Sequence, residues 1–134
     1  ARRAQDLAGA AMQAAGAEEG PVSLVATGLG DASVAAQLGV GAALGGYSFD
    51  RYKTGEAKPA PQPFTIVTQD VAGAEARHRA EGQALIEAMD WTRDIITEPS
   101  NVKYPEVVVA RASEALRGVA GVRVSALDVP AMER

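Results

Sequence analysis

One long stretch with helical periodicity, from about residue 71 to residue 97, limits the folds open to this chain. Small and apolar residues recur along one side of it: Ala84, Ala88, Thr92 and Ile95, with Leu85, Met89 and Ile96 beside them. At 1.5 Å of rise per residue, such a helix spans roughly 40 Å before Pro99 helps to end it. A small domain does not need a helix of that length. The pattern therefore predicts a strut that joins two bodies.

Short apolar runs lie on both sides of the predicted strut. Residues 22–27 and 64–69 are rich in β-branched side chains and predict two buried strands before it. Alternation of Val122, Val124 and Ala126 predicts a half-buried strand at 122–127, after it. Helices are predicted at 2–17, from 32 to about 44 and from 105 to about 117, with one more beginning near 129. This alternation favours mostly parallel sheets covered by helices.

The number of strands bears on domain organisation. Strands of a parallel sheet are normally buried on both faces and flanked by neighbours. Two strands before the strut and one after it are too few for two complete sheets. The sequence therefore predicts an α/β protein made of parts of two α/β domains, with mostly parallel sheets flanked by helices, joined by a long helix. Residues 1–70 belong to the first domain, 71–97 to the connecting helix and 98–134 to the second domain.

Composition narrows the classes of partner. The formal net charge is -4 and the basic residues are scattered, which disfavours nucleic acid because phosphate neutralisation needs clustered cations. Without cysteine there is neither a disulfide framework nor a thiolate metal site, which suits a reducing cytoplasm. The Ala- and Gly-rich run at 32–47 falls short of a membrane span. Because aromatic residues make up only 4% of the chain, its core must depend on close helix approach.

The sequence TGLGD, at residues 27–31, follows one predicted strand and precedes a helix. Glycines at a helix start expose N–H groups, so the turn at Gly28–Gly30 resembles a phosphate-binding turn. The dinucleotide fingerprint needs a third glycine where this chain has Ser33. A tight strand-to-helix turn is the favoured interpretation, and an anion site is the alternative.

Candidate catalytic groups are few. His78 is the single histidine, and its neighbours Arg77 and Arg79 favour a solvated side chain on a polar part of the strut. No Cys or second His is available to complete a metal site or a nucleophile relay. The 17 acidic residues show no pair with the spacing and apolar surroundings of a general acid and base. We therefore assign no catalytic, metal-binding or substrate-binding residue within the chain.

The segment YSFDRYKT, at residues 47–54, places three aromatic rings among charged side chains. One interpretation is an edge that binds a partner. The favoured interpretation is an anchor, in which the rings hold the end of the preceding helix and the charges pair locally.

Three stretches together carry a family resemblance: GGYSFDRYKT at 45–54, WTRDIITEPSNVKYPEVV at 91–108 and VRVSALDVPAMER at 122–134. In their order and spacing they resemble the leucyl (cytosol) aminopeptidase family, which comprises hexameric two-metal exopeptidases. The first is similar to the end of the family's N-terminal domain, and the other two to the start of its catalytic domain. Pro99, Asn101 and Pro105 are then expected to shape the junction, where many members carry Asn in place of Thr97.

The resemblance implies a metal-dependent peptidase that releases N-terminal amino acids from peptides in the cytoplasm, as a homohexamer. It implies two divalent metal ions, manganese or zinc, held by carboxylates and a lysine that lie beyond Arg134. None of those ligands matches a position here, so this stretch alone is expected to be inactive. It also implies further strands upstream of Ala1. The alternative hypothesis is a non-catalytic α/β binding or structural module that uses the Gly28–Gly30 turn.

Overall fold

A computed structural model describes residues 2–15, 20–55 and 63–133. The chain divides into two compact units, Ala1–Arg93 and Asp94–Arg134. The first unit contains helix α1 (Arg2–Ala15), strand β1 (Val22–Val25), helix α2 (Ala32–Gly45), strand β2 (Phe64–Val67) and helix α3 (Val71–Arg77). A π-helical turn, His78–Gly82, follows and leads into helix α4 (Gln83–Thr97), which continues across the division. The second unit also contains helices α5 (Pro105–Ala115) and α6 (Val129–Met132).

Strands β1 and β2 form a parallel two-stranded sheet, which confirms the α/β class. Val22 lies opposite Phe64, and Ala26 donates a hydrogen bond to the carbonyl of Val67 just past the end of β1. In both strands, half-buried and exposed side chains alternate. One face of the sheet therefore packs inward while the other remains exposed.

Helix α2 is the centre of the first unit. It is apolar on all sides, as expected of a helix covered by neighbours. Leu38 and Ala42 are buried in a cluster with Ala8 of α1, and Ala35 packs with Ala74 of α3 in a second cluster. Apart from Leu38, these buried side chains are alanines. The expected dependence of the core on close helix approach is confirmed.

Residues 71–97 remain helical throughout, as the periodicity predicted. The Asp70 side chain caps the start of α3 by accepting a hydrogen bond from the N–H of Gly73 at 2.8 Å. The predicted stripe is largely exposed, with Leu85 at 43% and Met89 at 38% of full accessibility. The assignment of residues 71–97 as a connector between domains 1–70 and 98–134 stays a prediction.

The strand predicted at 122–127 was wrong, because the structure assigns no regular secondary structure there and leaves Val122 and Val124 exposed. A strand needs a neighbour for its backbone hydrogen bonds, and no described residue of the second unit pairs with this segment. The helix expected near residue 129 is present as α6, capped by Asp128, whose side chain accepts from Ala131 N–H at 2.9 Å.

Some sequence predictions fall on residues 16–19 and 56–62, outside the described part of the chain. They are the end of the first helix at residue 17 and most of the stretch from Gly55 to Pro63, whose three prolines predict an exposed loop. Where the chain is described, none of its helices is both long and apolar enough to cross a membrane.

Candidate functional site

The turn between β1 and α2 was predicted to be a tight connection, with an anion site as the alternative, and its geometry opposes the anion site. Gly28 and Gly30 have φ angles of 81° and 139°, which residues with side chains rarely adopt. The Asp31 carboxylate accepts hydrogen bonds from the N–H groups of Ser33 and Val34, at 2.9 and 3.3 Å. An anion would need those donors and would be repelled by the carboxylate. The turn is therefore a tight connection capped by its own aspartate.

His78 was predicted to be solvated, and the structure corrects this by placing it half-buried against α2. A Cβ atom added at Gly39 or Gly82 would lie 3.3 or 2.9 Å from its Nδ1 atom. The prediction failed because the helix face that carries this one residue packs against α2, while Arg77 and Arg79 on either side remain exposed. His78 thus acts in helix packing.

Metal ligation finds no support in the described residues. Across residues 2–15, 20–55 and 63–133, no group of three or more His, Asp or Glu side chains is arranged to hold a metal ion. A site for two divalent metals needs several convergent carboxylates or imidazoles. This part of the chain therefore does not provide the ligand set that the resemblance implies.

An open groove of about 920 Å³ runs along α2, β2 and the helical stretch that begins at Val71. Small and apolar residues make up much of its lining: Ala35, Ala36, Gly39, Ala43 and Ile66. Among the ionisable side chains at the groove, Arg79 pairs with Glu75 at 2.7 Å and Asp90 with Arg93 at 3.8 Å, while His78 lies against Gly39. Such a lining offers packing surface rather than a prepared acid and base.

The end of α2 is held by Arg93 of α4. Its Nη1 atom donates a hydrogen bond to the carbonyl oxygen of Leu44 at 2.7 Å. Its guanidinium also lies over the Tyr47 ring, 5.2 Å from the centroid. A cation at a helix C-terminus is favourable because the last carbonyls lack partners within the helix.

The other aromatic and charged side chains of residues 47–54 contact one another. The Phe49 and Tyr52 rings lie 5.9 Å apart, and the Arg51 guanidinium lies 5.6 Å from the Phe49 centroid. Asp50 forms an ion pair with Lys53. The predicted local pairing of charges is confirmed, and Tyr47 lies at the end of α2 through its contact with Arg93.

The junction between α4 and α5 is ordered by its own hydrogen bonds. The Pro99 carbonyl accepts from the N–H groups of Val102 and Lys103, both at 2.9 Å. The Lys103 ammonium group donates to the Ile96 carbonyl at 2.8 Å, near the end of α4, where a cation is favourable. Pro105 begins α5, where its missing N–H costs nothing. The sequence TEPSNVKYP therefore encodes a compact connection between two helices.

Glu98 is the buried charge of this junction. Its side chain is 1% exposed, and one of its carboxylate oxygens lies 2.8 Å from Nη1 of Arg111, which is 30% exposed. Burying a carboxylate without a cation costs free energy. Arg111 therefore stabilises the buried carboxylate of Glu98. The pair ties the end of α4 to the middle of α5.

Replacing Arg111 by methionine is expected to destabilise the second unit by about 1 kcal/mol, because the buried Glu98 carboxylate loses its contact with the guanidinium. The cost is below that of a fully buried pair because water reaches the arginine. Urea denaturation of Arg111→Met is the measurement. Arg117→Met is the matched control, since Arg117 and Glu114 form an ion pair with both side chains at least 68% exposed. Equal effects of the two changes would contradict the argument.

Sequence reasoning did not single out Arg93, Glu98 or Arg111. Arg93 bonds to a carbonyl 49 positions away, and no local pattern marks that distance. Glu98 had a weak signal, since this acidic residue stands between the end of a predicted helix and a proline. These three side chains have structural roles.

Comparison with curated proteins gives a consistent result, although no family model matches the chain. The chain is 39% identical over 139 residues to a probable cytosol aminopeptidase of Afipia carboxidovorans, covering 96% of this chain and 26% of that protein. Proteins with the same description from Rhodopseudomonas palustris and Caulobacter vibrioides are 37% and 36% identical, over 75% and 81% of this chain. The chain belongs to the leucyl (cytosol) aminopeptidase family.

The family assignment rests on nearly the whole chain. An alignment over 96% of it takes in both the aromatic segment and the junction, where the sequence resemblance was found. The chain spans about a quarter of the length of the Afipia relative and about a fifth of the other two. Most of an aminopeptidase of this family therefore lies outside the matched stretch.

Proposed function

We propose that these residues are part of a metal-dependent aminopeptidase that hydrolytically releases N-terminal amino acids from peptides in the cytoplasm. The observation that supports this most is the 39% identity, over 96% of the chain, with a protein named probable cytosol aminopeptidase. The absence of cysteine agrees with a reducing compartment. The proposed substrates are peptides with a free N-terminus.

The proposed cofactors are two divalent metal ions, manganese or zinc, bound by residues outside this stretch. The described residues contain no suitable cluster, so we derive no catalytic step from them. Their proposed contribution is architectural. Residues 1–70 form the last part of the N-terminal domain, 71–97 the connecting helix and 98–134 the start of the catalytic domain. The uninterrupted helical path from Val71 to Thr97 supports this division.

We further propose that the whole protein is a homohexamer assembled mainly through its catalytic domain. The exposed Leu85, Met89 and Ile96 on α4, at 38–67% of full accessibility, give an apolar surface that is unfavourable in water. The isolated stretch is therefore expected to associate non-specifically, aided by unpaired strand edges. Light scattering distinguishes a uniform hexamer of the full-length protein from heterogeneous association of residues 1–134.

Metal removal tests the proposed function. The full-length protein is expected to hydrolyse a leucine anilide, to lose at least about a hundredfold in rate after chelation, and to regain it with manganese or zinc, because the metals activate the water. Rates before chelation, after it and after metal addition are the measurement. A calcium addition serves as the control, since its larger size and flexible oxygen coordination do not suit such a site. Turnover that survives complete metal removal would contradict the proposal.

The alternative, an anion-binding module without catalytic activity, receives no support from the turn that suggested it. The donors at Ser33 and Val34 are already bonded to Asp31, which places a negative charge where an anion would bind. The aminopeptidase proposal is therefore the better supported of the two.

A further inference from the structure

In the helical stretch 71–97, the residues that contact α2 are spaced four positions apart. Ala74 packs with Ala35, and four residues later His78 lies against Gly39. Gly82, four residues later again, is buried against Val40. Four residues of a regular α-helix turn through one full rotation and about 40° more. After eight residues the overshoot is about 80°, so a regular α-helix would turn Gly82 toward the edge of the face that contacts α2.

The π-turn reduces this overshoot in the second step, from His78 to Gly82. The N–H of Gln83 donates to the carbonyl of His78, five residues earlier, instead of the usual four. A turn closed in this way contains more than four residues and rotates less per residue than an α-helix. It therefore keeps His78 and Gly82 on the side that faces α2. Eleven residues beyond Gly82, Arg93 reaches the Leu44 carbonyl at the end of α2.

The His78 side chain occupies a slot that exists because two residues lack a Cβ atom. An alanine methyl at Gly82 would lie 2.9 Å from both His78 Nδ1 and a Val40 methyl. One at Gly39 would lie 3.3 Å from the same nitrogen. Separations near 3 Å are well inside normal carbon contact distances, so a methyl at Gly82 would displace the ring or the helix. π-Turns are rare and occur mostly as single turns inside α-helices.

We propose that the π-turn His78–Gly82 is a register lock, in which the imidazole seated between Gly39 and Gly82 holds the wide turn and thereby directs Arg93 onto the end of α2. Without the seated ring, the segment adopts the regular α-helical spacing. The following helix then rotates about its own axis, and Arg93 loses Leu44 and Tyr47. His78 is thus a positioning residue: it sets the rotation of the following helix about its axis and so the place of Arg93.

Coupling between Gly82 and Arg93 tests the lock. The experiment measures hydrogen exchange of peptides covering residues 83–97 in the full-length protein, where protection reports local opening. Arg93→Met is expected to increase opening about tenfold in the wild type, because a charge-assisted hydrogen bond is lost. In a Gly82→Ala background, the same change is expected to increase opening less than about twofold, because Arg93 is already displaced. Sites roughly 16 Å apart along a helix normally act independently.

Two further variants keep the test decisive. His78→Ala removes the ring without adding bulk, so it is expected to abolish the effect of Arg93→Met even if Gly82→Ala does not fold. Gly55→Ala is the control, since nothing lies within 4 Å of a Cβ there, and it should preserve the full tenfold effect. A tenfold effect that persists in the His78→Ala background, or in a folded Gly82→Ala protein, would overturn the proposal.

Discussion

Purified residues 1–134 are expected to release no product from a leucine anilide, with or without added manganese or zinc. Hydrolysis of this kind needs convergent ligands for two metals, and the described residues contain no group of three or more that could hold even one. His78, the single imidazole, is packed against Gly39 and Gly82. The expected difference from the full-length protein is the complete loss of metal-dependent turnover.

Three measurements make this result interpretable. Circular dichroism must first show that the isolated chain retains its helices. The full-length protein, assayed at the same molar concentration, is the positive control. Calorimetric titration with manganese then reports whether the isolated chain binds metal. Tight binding at two sites, or turnover that depends on metal, would show that the active site lies within this stretch.

Gly41→Ala is expected to destabilise the first unit by about 2 kcal/mol or more. A Cβ atom at Gly41 would lie 2.2 Å from the backbone oxygen of Gln5 and 2.5 Å from its Cα atom. Backbone atoms cannot rotate away as a side chain can, so α1 must move off α2 and the core around Ala8 must open. Such overpacking costs about 3 kcal/mol or more, of which better helix propensity recovers about 1 kcal/mol.

Gly46→Ala is the matched control for this prediction. It is the same substitution five residues later, and its nearest contacts would be ordinary ones of 3.5–3.6 Å, to Ala42, Ala43 and Met12. Its expected effect on the free energy of unfolding is within about 0.5 kcal/mol. Urea denaturation followed by circular dichroism compares the two. If Gly41→Ala is no less stable than Gly46→Ala, the close approach of α1 and α2 does not limit the core.

Local hydrogen bonds explain why the start of α2 could be predicted from the sequence. Asp31 caps α2 through N–H groups only two and three residues away, so the sequence contains both partners. Pro105 at the start of α5 acts equally locally, through its own ring. The αβαβα order of the first unit and the family resemblance rest on signals of this kind.

Long-range partners explain the two failures. The alternation of Val122 and Val124 is a true strand pattern, but a strand forms only beside a neighbour that supplies backbone partners. For His78, the flanking arginines suggested a polar surface, whereas the glycines that receive its ring lie 39 positions before it and four after it.

By itself, the amino-acid sequence determined the order of helices and strands in the first unit, the starts of α2 and α5, and the family to which the chain belongs. Only the tertiary structure decided the π-turn, the place of His78, the bond from Arg93 to Leu44 and the burial of Glu98 against Arg111. The physical reason is the range of the interactions. Caps and turns bond within a few residues and leave a local signature, whereas helix phase and buried charge depend on surfaces that meet only after the chain has folded.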